Sequence, residues 1–135
     1  MTKSEIIKTI FLPVPAQVAW GYLTQADKLA KWFHVPKQDL ANGQPYELFG
    51  ADSGDRLCWG KVINMEPYNS LTYSFAVKPF PNIESEVHWV LDEIEGGTRI
   101  TMRHVGMESA GAESFGLTMA FDKGWDEHFA KMRDI

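Results

Sequence analysis

The stretch ESEVHWVLDEIEGGTRITMRHV, residues 84–105, decides the fold of this chain. Apolar and polar residues alternate on both sides of Gly96-Gly97, which is typical of two antiparallel strands joined by a tight turn. A two-residue turn made by the two glycines fixes the register of the predicted hairpin. The pairs that it predicts are Glu95 with Thr98, Leu91 with Met102, and Trp89 with His104.

One face of this hairpin is apolar, because successive side chains of a strand point to opposite sides. That face carries Val87, Trp89, Leu91, Ile100, Met102 and His104. A polar group there needs a partner when it is buried. His104 therefore has two interpretations: a core histidine bonded to a backbone carbonyl, or a polar contact that orients a ligand in an otherwise apolar pocket.

Strand-like segments continue on the N-terminal side of the hairpin. From Asn42-Gly43 onward, turn-forming clusters separate short segments that are rich in β-branched and aromatic residues. The predicted strands of this meander are 46–49, 57–65, 71–77, 84–94 and 98–105.

The first third of the chain predicts one strand and two short helices. Residues 5–12 have strand composition and are closed by Pro13. Helical spacing follows in two groups, and Pro36 ends the second helix. The apolar positions of the two groups are Ala16, Ala19, Trp20 and Leu23, and then Leu29, Trp32 and Phe33.

The C-terminal residues return to helical spacing, with Leu117, Phe121, Trp125, Phe129 and Met132 in one apolar stripe. Gly124 inside this helix costs about 1 kcal/mol relative to alanine, which indicates a kink or a close approach to another group. Only this helix is long enough to cover the apolar face of the sheet. We therefore predict a single α+β domain over residues 1–135, in which a curved antiparallel sheet wraps around a long C-terminal helix, with two short helices after the first strand.

Composition excludes several classes of protein. The chain has 135 residues and a net charge of −5, so it lacks the basic surface that nucleic-acid binding needs. Cys58 is the only cysteine and cannot form an intramolecular disulfide. No apolar run has the length of a membrane span, and the N-terminus does not resemble a signal peptide. We expect a soluble, cytoplasmic protein.

Catalytic and cofactor motifs are not visible. The stretch from Gly106 to Gly111 contains Ser109 but is one residue too long for a nucleophile elbow. The four histidines are scattered over different predicted elements, and metal-binding or nucleotide-binding spacings do not occur. We expect no cofactor and no metal, and a binding protein rather than an enzyme.

A hollow between the curved sheet and the C-terminal helix would be lined by aromatic side chains and could hold a drug-sized apolar ligand. Ordinary core packing is the alternative explanation for the same residues. Cys58 is expected to be a plain buried thiol, and His128 to lie at the rim or in solvent. The candidate ligand-binding residues are Trp32, Phe33, Tyr46, Tyr73, Phe75, Trp89, His104, Phe121, Trp125 and Phe129.

A series of short motifs in a fixed order resembles one known family. Pro15 with Ala19-Trp20 and Leu23-Thr24 is similar to its Pro-x-x-x-Val-Trp-x-x-Leu-Thr opening, with alanine in place of valine. The other matching segments are Leu29 to Phe33, Gly60 to Pro67, Leu71 to Phe75, Gly97 to His104, and Gly124-Trp125. On these residues the chain resembles the SRPBCC or START-like helix-grip superfamily, in the branch named after the C-terminal domain of the activator of Hsp90 ATPase.

This resemblance covers nearly the whole chain and implies the helix-grip fold, also called START/Bet v 1-like. It implies a lipophilic or aromatic small molecule in the cavity, and the branch name implies a chaperone of the Hsp90 type as a partner. Three hypotheses follow: a small-molecule binder, a chaperone-interaction module, and a cavity enzyme of the cyclase or aromatase type. In the third, His104 with Tyr73 or Tyr46 would supply a proton.

Overall fold

The computed structural model describes residues 3–135. They form one seven-stranded antiparallel sheet and three α-helices. The strand order across the sheet is β1-β7-β6-β5-β4-β3-β2. The strands are β1 (Glu5–Leu12), β2 (Val35–Pro36), β3 (Pro45–Phe49), β4 (Arg56–Glu66), β5 (Ser70–Val77), β6 (Phe80–Ile94) and β7 (Gly97–Val105). The helices are α1 (Ala16–Thr24), α2 (Ala26–Trp32) and α3 (Ser114–Arg133), the last preceded by a 3-10 segment, Met107–Glu113.

The predicted α+β helix-grip architecture is confirmed. Strands β3 to β7 form the expected meander, and β1 joins it beside β7. Register shifts interrupt the β3–β4, β4–β5 and β5–β6 pairs. Because bulges of this kind bend a sheet, the curvature is concentrated in the half of the sheet that carries β3, β4 and β5.

The predicted register of the β6–β7 hairpin is wrong by two residues. Ile94 pairs with Gly97, so the turn consists of Glu95 and Gly96, and Trp89 lies opposite Met102 rather than His104. Gly96 has a φ of +86°, which suits the third residue of a tight turn. Gly97 belongs to the strand, where a Cβ atom would lie 2.3 Å from the Leu12 carbonyl oxygen. The shift is even, so the apolar face is the predicted one.

Two further boundaries differ from the predictions. The two-residue strand β2 follows α2 and pairs with the end of β3, where the sequence predicted only the end of a helix. Strand β6 begins at Phe80, which pairs with Val77, so Lys78-Pro79 forms the turn that was expected at residues 79–82. Strand β6 is therefore longer than its alternating pattern indicated.

The first amide groups of α1 and α2 are capped by distant carboxylates. The Ala16 amide donates to Glu93 Oε1 at 2.9 Å, and the Ala26 amide donates to Asp39 Oδ1 at 2.8 Å. Amide groups in the first turn have no partner within the helix, so each such bond satisfies one of them. These contacts attach both short helices to the body of the fold.

Helix α3 lies across the concave face of the sheet. Its buried residues are Leu117, Trp125, Phe129 and Met132, while Phe121 of the predicted stripe is partly buried. Lys8 on β1 holds the helix from the side, because its Nζ lies 2.6 Å from Asp122 and 2.8 Å from Asp126. The elements thus converge on one core beneath α3.

Candidate functional site

A small cavity lies between α3 and the curved half of the sheet. Its volume is about 100 Å³. Four of the predicted ligand-binding residues line it: Phe33, Phe75, Phe121 and Trp125. The other lining residues are His34, Cys58, Val77, Ala120, Gly124 and His128.

This cavity is smaller than the drug-sized hollow that the sequence predicted. Pockets that hold drug-sized ligands have volumes of roughly 300–1,000 Å³, whereas a dry engineered cavity of roughly 150 Å³ binds benzene. The difference arises because aromatic rings from α2, β5, β6 and α3 interdigitate under the helix and fill most of the space. In this conformation the cavity matches a single small ring.

The remaining predicted residues lie elsewhere. Trp32, Tyr73, Trp89, His104 and Phe129 are buried core residues. Tyr46 lies at the border of a separate groove at the edge of the sheet. The predicted set is therefore a continuous aromatic core, of which four members reach the cavity surface.

Phe33 is central to the cavity wall. Its ring stacks on Trp125 at 5.2 Å between centroids and on the neighbouring Trp32 at 5.1 Å. Phe121 closes the opposite side, stacked on the His104 imidazole at 4.5 Å. These offset stacks bring α2 and β7 into contact with the same stretch of α3 and give the cavity flat apolar walls.

His104 stands in a chain of buried hydrogen bonds that joins α3 to three strands. Trp125 Nε1–H donates to His104 Nδ1 at 3.0 Å, so the ring proton of the neutral histidine must be on Nε2. Nε2–H then donates to Ser85 Oγ at 2.7 Å, and the Ser85 hydroxyl donates to the Phe75 carbonyl at 3.0 Å. Both His104 nitrogens are occupied, by a serine hydroxyl and an indole rather than by the backbone carbonyl considered from sequence.

Burial keeps this histidine neutral. Its side chain is fully inaccessible, and desolvation, with a smaller contribution from His88, lowers the pKa of His104 to about 3. This chain of hydrogen bonds requires the uncharged ring, because Nδ1 must have a free lone pair to accept the hydrogen bond from Trp125. The bonds fix Trp125, and with it one wall of the cavity.

The two core tyrosines use their hydroxyls inside the fold. Tyr46 donates to the Ser74 carbonyl at 2.6 Å, across the face of Gly60, where a Cβ atom would lie 2.9 Å from the tyrosine oxygen. Tyr73 accepts from Trp89 Nε1 at 3.0 Å. Desolvation raises the pKa of Tyr46 and of Tyr73 well above the usual value. Neither hydroxyl is presented to the cavity as an acid.

Two histidines form the rim of the cavity. The rings of His34 and His128 lie edge to face at 5.0 Å, and His128 also contacts Phe33 at 4.8 Å. His128 is half-buried, at the rim as expected. Cys58 is the buried thiol that the sequence predicted, and burial raises its pKa to about 12.

Sequence reasoning missed His34 and the small residues of α3 as lining residues. From sequence, Gly124 indicated a kink or a close approach to another group, but a Cβ atom placed on it would meet nothing within 4 Å. It therefore marks open space at the cavity rather than a close approach. His34 carried no sequence signal, because its position depends on the path of the chain between α2 and β2.

A larger concavity lies elsewhere on the molecule. A groove of about 530 Å³ runs along the free edge of β3. Its charged residues are largely paired: Arg56 lies over the Trp59 ring at 3.9 Å and forms an ion pair with Glu47 at 3.2 Å. Exposed ion pairs line this groove, whereas the lining of the cavity beneath α3 is mainly aromatic and contains no ion pair, so the cavity is the stronger candidate site for an apolar ligand.

Within residues 3–135, three or more His, Cys, Asp or Glu side chains do not converge on a point where a metal ion could bind. Over the same part of the chain, every helix is too short or too polar to cross a membrane.

Solved structures share this fold at low sequence identity. A protein from Mesorhizobium loti has a TM-score of 0.81 and 22% identity over 97% of this chain and 95% of its own. CalU16 from Micromonospora echinospora has a TM-score of 0.70 and 22% identity over 97% of this chain and 75% of its own. The Aha1 dimer from Colwellia psychrerythraea has a TM-score of 0.77 and 16% identity over 97% of this chain and 94% of its own.

No curated protein sequence matches the chain. The family model described as activator of Hsp90 ATPase homolog 1-like protein matches residues 13–135. This range includes both short helices, six of the seven strands, the aromatic core and all of α3. The chain therefore belongs to the activator of Hsp90 ATPase homolog 1-like family.

Proposed function

We propose that this protein binds a small apolar or aromatic molecule in the cavity beneath α3. The observation that carries the proposal is a partly open cavity of about 100 Å³ whose walls are mainly flat aromatic rings. Removing apolar surface from water is the driving force, at roughly 25 cal/mol per Å². The walls hold no lysine, arginine or carboxylate, so a neutral ligand is favoured over an ion.

Hydrogen bonds within the protein satisfy the buried polar side chains around this cavity, which leaves its wall largely apolar. Within residues 3–135, every fully buried side-chain nitrogen and oxygen has a hydrogen-bond partner. The indole N–H of Trp125, in the cavity wall, donates to His104 Nδ1 at 3.0 Å and is therefore satisfied within the protein. A ligand therefore meets ring faces rather than unpaired polar atoms along most of the wall.

A larger ligand requires movement, and the first half of α3 is the part that can supply it. Between Ser114 and Phe121 only Leu117 is buried, and Phe115 and Met119 are exposed by 71% and 56%. Regions with few buried contacts open at low free-energy cost. Displacement of Phe121 with this half of α3 would extend the cavity toward solvent.

Titration with toluene, followed by ¹H–¹⁵N correlation spectra, tests the proposal. We expect saturable shifts at residues around Gly124 and Phe75, and their loss in Gly124→Leu, whose side chain would occupy the cavity. Gly116→Leu is the matched control, since Gly116 is also a glycine of α3 with open space around it and lies outside the cavity lining. Unchanged toluene binding in Gly124→Leu, or no binding by the wild type, would contradict the proposal.

The cellular site of this binding is proposed to be the cytoplasm, where a single free thiol such as Cys58 stays reduced.

A second candidate function is contact with a chaperone of the Hsp90 type, and the family match over residues 13–135 favours it. The exposed Phe115 and Met119 on α3 offer an apolar surface for such a contact. Stimulation of the Hsp90 ATPase of the source organism is the measurement. Stimulation that disappears in the double variant Phe115→Ser and Met119→Ser would support this function, and no stimulation at saturating concentration would remove it.

A further inference from the structure

The His128 ring at the rim of the cavity has one nitrogen bonded and one unpaired. Nδ1 lies 3.2 Å from the Trp32 carbonyl oxygen. A carbonyl can only accept a hydrogen bond, so Nδ1 carries the proton and donates. In the neutral ring Nε2 then has a lone pair and can only accept.

The surroundings of His128 hold the ring neutral near pH 7. Burial, together with His34 from the segment after α2 and Lys131 on α3, lowers the pKa of His128 to about 4, against the opposing effect of the Trp32 carbonyl. The same two causes, burial and Lys131, lower the pKa of His34. The rim therefore presents an uncharged acceptor rather than a cation.

Nε2 of His128 makes no hydrogen bond to any residue in the range 3–135, and every side-chain polar atom that is fully buried in this range does make one. This nitrogen is therefore accessible. It belongs to a ring that lines the cavity and that packs against Phe33 at 4.8 Å and Trp125 at 6.0 Å. An apolar cavity with an accessible acceptor of this kind at its mouth has the composition of a site that orients its ligand by a polar contact.

We propose that the ligand is a neutral aromatic ring with one hydrogen-bond donor, of the phenol class, whose ring fills the cavity and whose hydroxyl donates to His128 Nε2. This inference rests on the proposed function and adds the ligand chemistry to it. A phenol keeps its proton at neutral pH, as the tyrosine side chain does. A carboxylate would lose its hydration without meeting a cation in the lining, so it is excluded.

The test compares phenol with toluene, which have nearly the same shape and differ in the donor. Affinities are measured at pH 7 by ¹H–¹⁵N correlation spectra, and the ¹⁵N shift of His128 Nε2 is followed in the same samples. We expect phenol to bind about fivefold more tightly than toluene, as for one neutral hydrogen bond. We also expect phenol, and not toluene, to move the Nε2 resonance.

The variant His128→Asn keeps an N–H group to face the Trp32 carbonyl and removes Nε2, since its amide oxygen takes the place of the ring carbon Cδ2, nearer the backbone. We expect its phenol-to-toluene affinity ratio to fall to about one, with toluene affinity little changed. His88→Asn is the matched control, because His88 lies on the other face of the sheet, bonded to Thr72 and paired with Glu86. In His88→Asn the phenol-to-toluene affinity ratio should stay at the wild-type value.

The outcomes separate the two proposals. If toluene binds and phenol binds no more tightly, or if the Nε2 resonance does not respond to phenol, the phenol assignment is overturned while the cavity proposal stands. If neither compound binds, both proposals fail. If the preference for phenol survives in His128→Asn, the acceptor is another group and the assignment to Nε2 is wrong.

Discussion

Two histidines, His104 and His128, both pack against Trp125, yet the fold uses them differently. The centroids of their rings lie 6.0 Å from that of Trp125 in both cases. Both nitrogens of His104 are bonded, to Trp125 and Ser85. His128 bonds only through Nδ1, to Trp32. On our proposal, a nitrogen that the fold leaves unbonded is what allows His128 to bind a ligand, and His104 has none.

The positions of the two residues explain this difference. His104 lies on β7 beneath α3, where Ser85 of β6 and Trp125 of α3 supply partners from two sides. His128 lies on α3 at the margin of the cavity, where its hydrogen-bond partner is the Trp32 carbonyl at the end of α2. A polar side chain in the centre of a core must be satisfied by the fold itself, and one at a margin can be satisfied by solvent or by a ligand.

The largest effect that we expect is the difference in the free energy of unfolding between alanine variants of the two histidines. His104→Ala removes a fully buried ring and leaves the Trp125 indole and the Ser85 hydroxyl without their partner, so we expect a loss of about 4 kcal/mol in the free energy of unfolding. His128→Ala should cost about 1 kcal/mol, because its ring is half-buried and has one bond. Urea denaturation measures both. Equal losses would show that the two histidines are not structurally distinct.

A smaller effect is expected from the serine that completes the buried chain. Ser85→Ala leaves the His104 Nε2–H group without an acceptor, and we expect a loss of about 2 kcal/mol. Ser70→Ala is the control, since Ser70 is a half-buried serine of β5 whose hydroxyl makes no hydrogen bond within residues 3–135. If the two serine variants are equally stable, the hydrogen-bond chain contributes nothing to the fold.

The pH dependence of stability tests whether both rings are neutral. The pKa values of about 3 for His104 and about 4 for His128 lie below the unfolded value near 6.5. Protonation therefore favours the unfolded state, and stability is full above pH 6.5 and falls as the pH drops below it. Each neutral histidine contributes a slope of up to about 1.4 kcal/mol per pH unit in that range.

Urea denaturation between pH 6.5 and 5 measures this slope. His128→Asn should reduce it by the contribution of one histidine. A slope in His128→Asn equal to that of the wild type would mean that His128 is already protonated in the folded protein, and the comparison between the two rings would lose its electrostatic basis.

Much of the fold could be predicted from the sequence because it depends on local periodicity. Alternation in β6 and β7 gave the correct inward face even though the register was wrong by two. The register error has a physical cause: one positive-φ glycine is sufficient for the turn, and Gly97 is needed where β7 passes close to Leu12. A dipeptide alone cannot show which of its glycines turns the chain.

The candidate site was only partly predictable. Phe33, Phe75, Phe121 and Trp125 were identified because they lie at inward positions of their elements. The volume of the cavity depends on how closely their rings interdigitate, which no spacing reveals. Ser85 shares the alternation of Val87 and Trp89, so a partner for His104 could have been sought there. His34 and His128 meet only because the segment after α2 lies against α3, which is a long-range contact.

The most direct test of the central claim is to locate a bound single-ring ligand by intermolecular nuclear Overhauser effects. With toluene at saturating concentration, we predict contacts from its protons to Phe33, Phe75 and the Gly124 α-protons, and none to Trp59 in the groove along β3. Contacts to Trp59 without contacts to Phe75 and Gly124 would place binding in the groove and contradict the account.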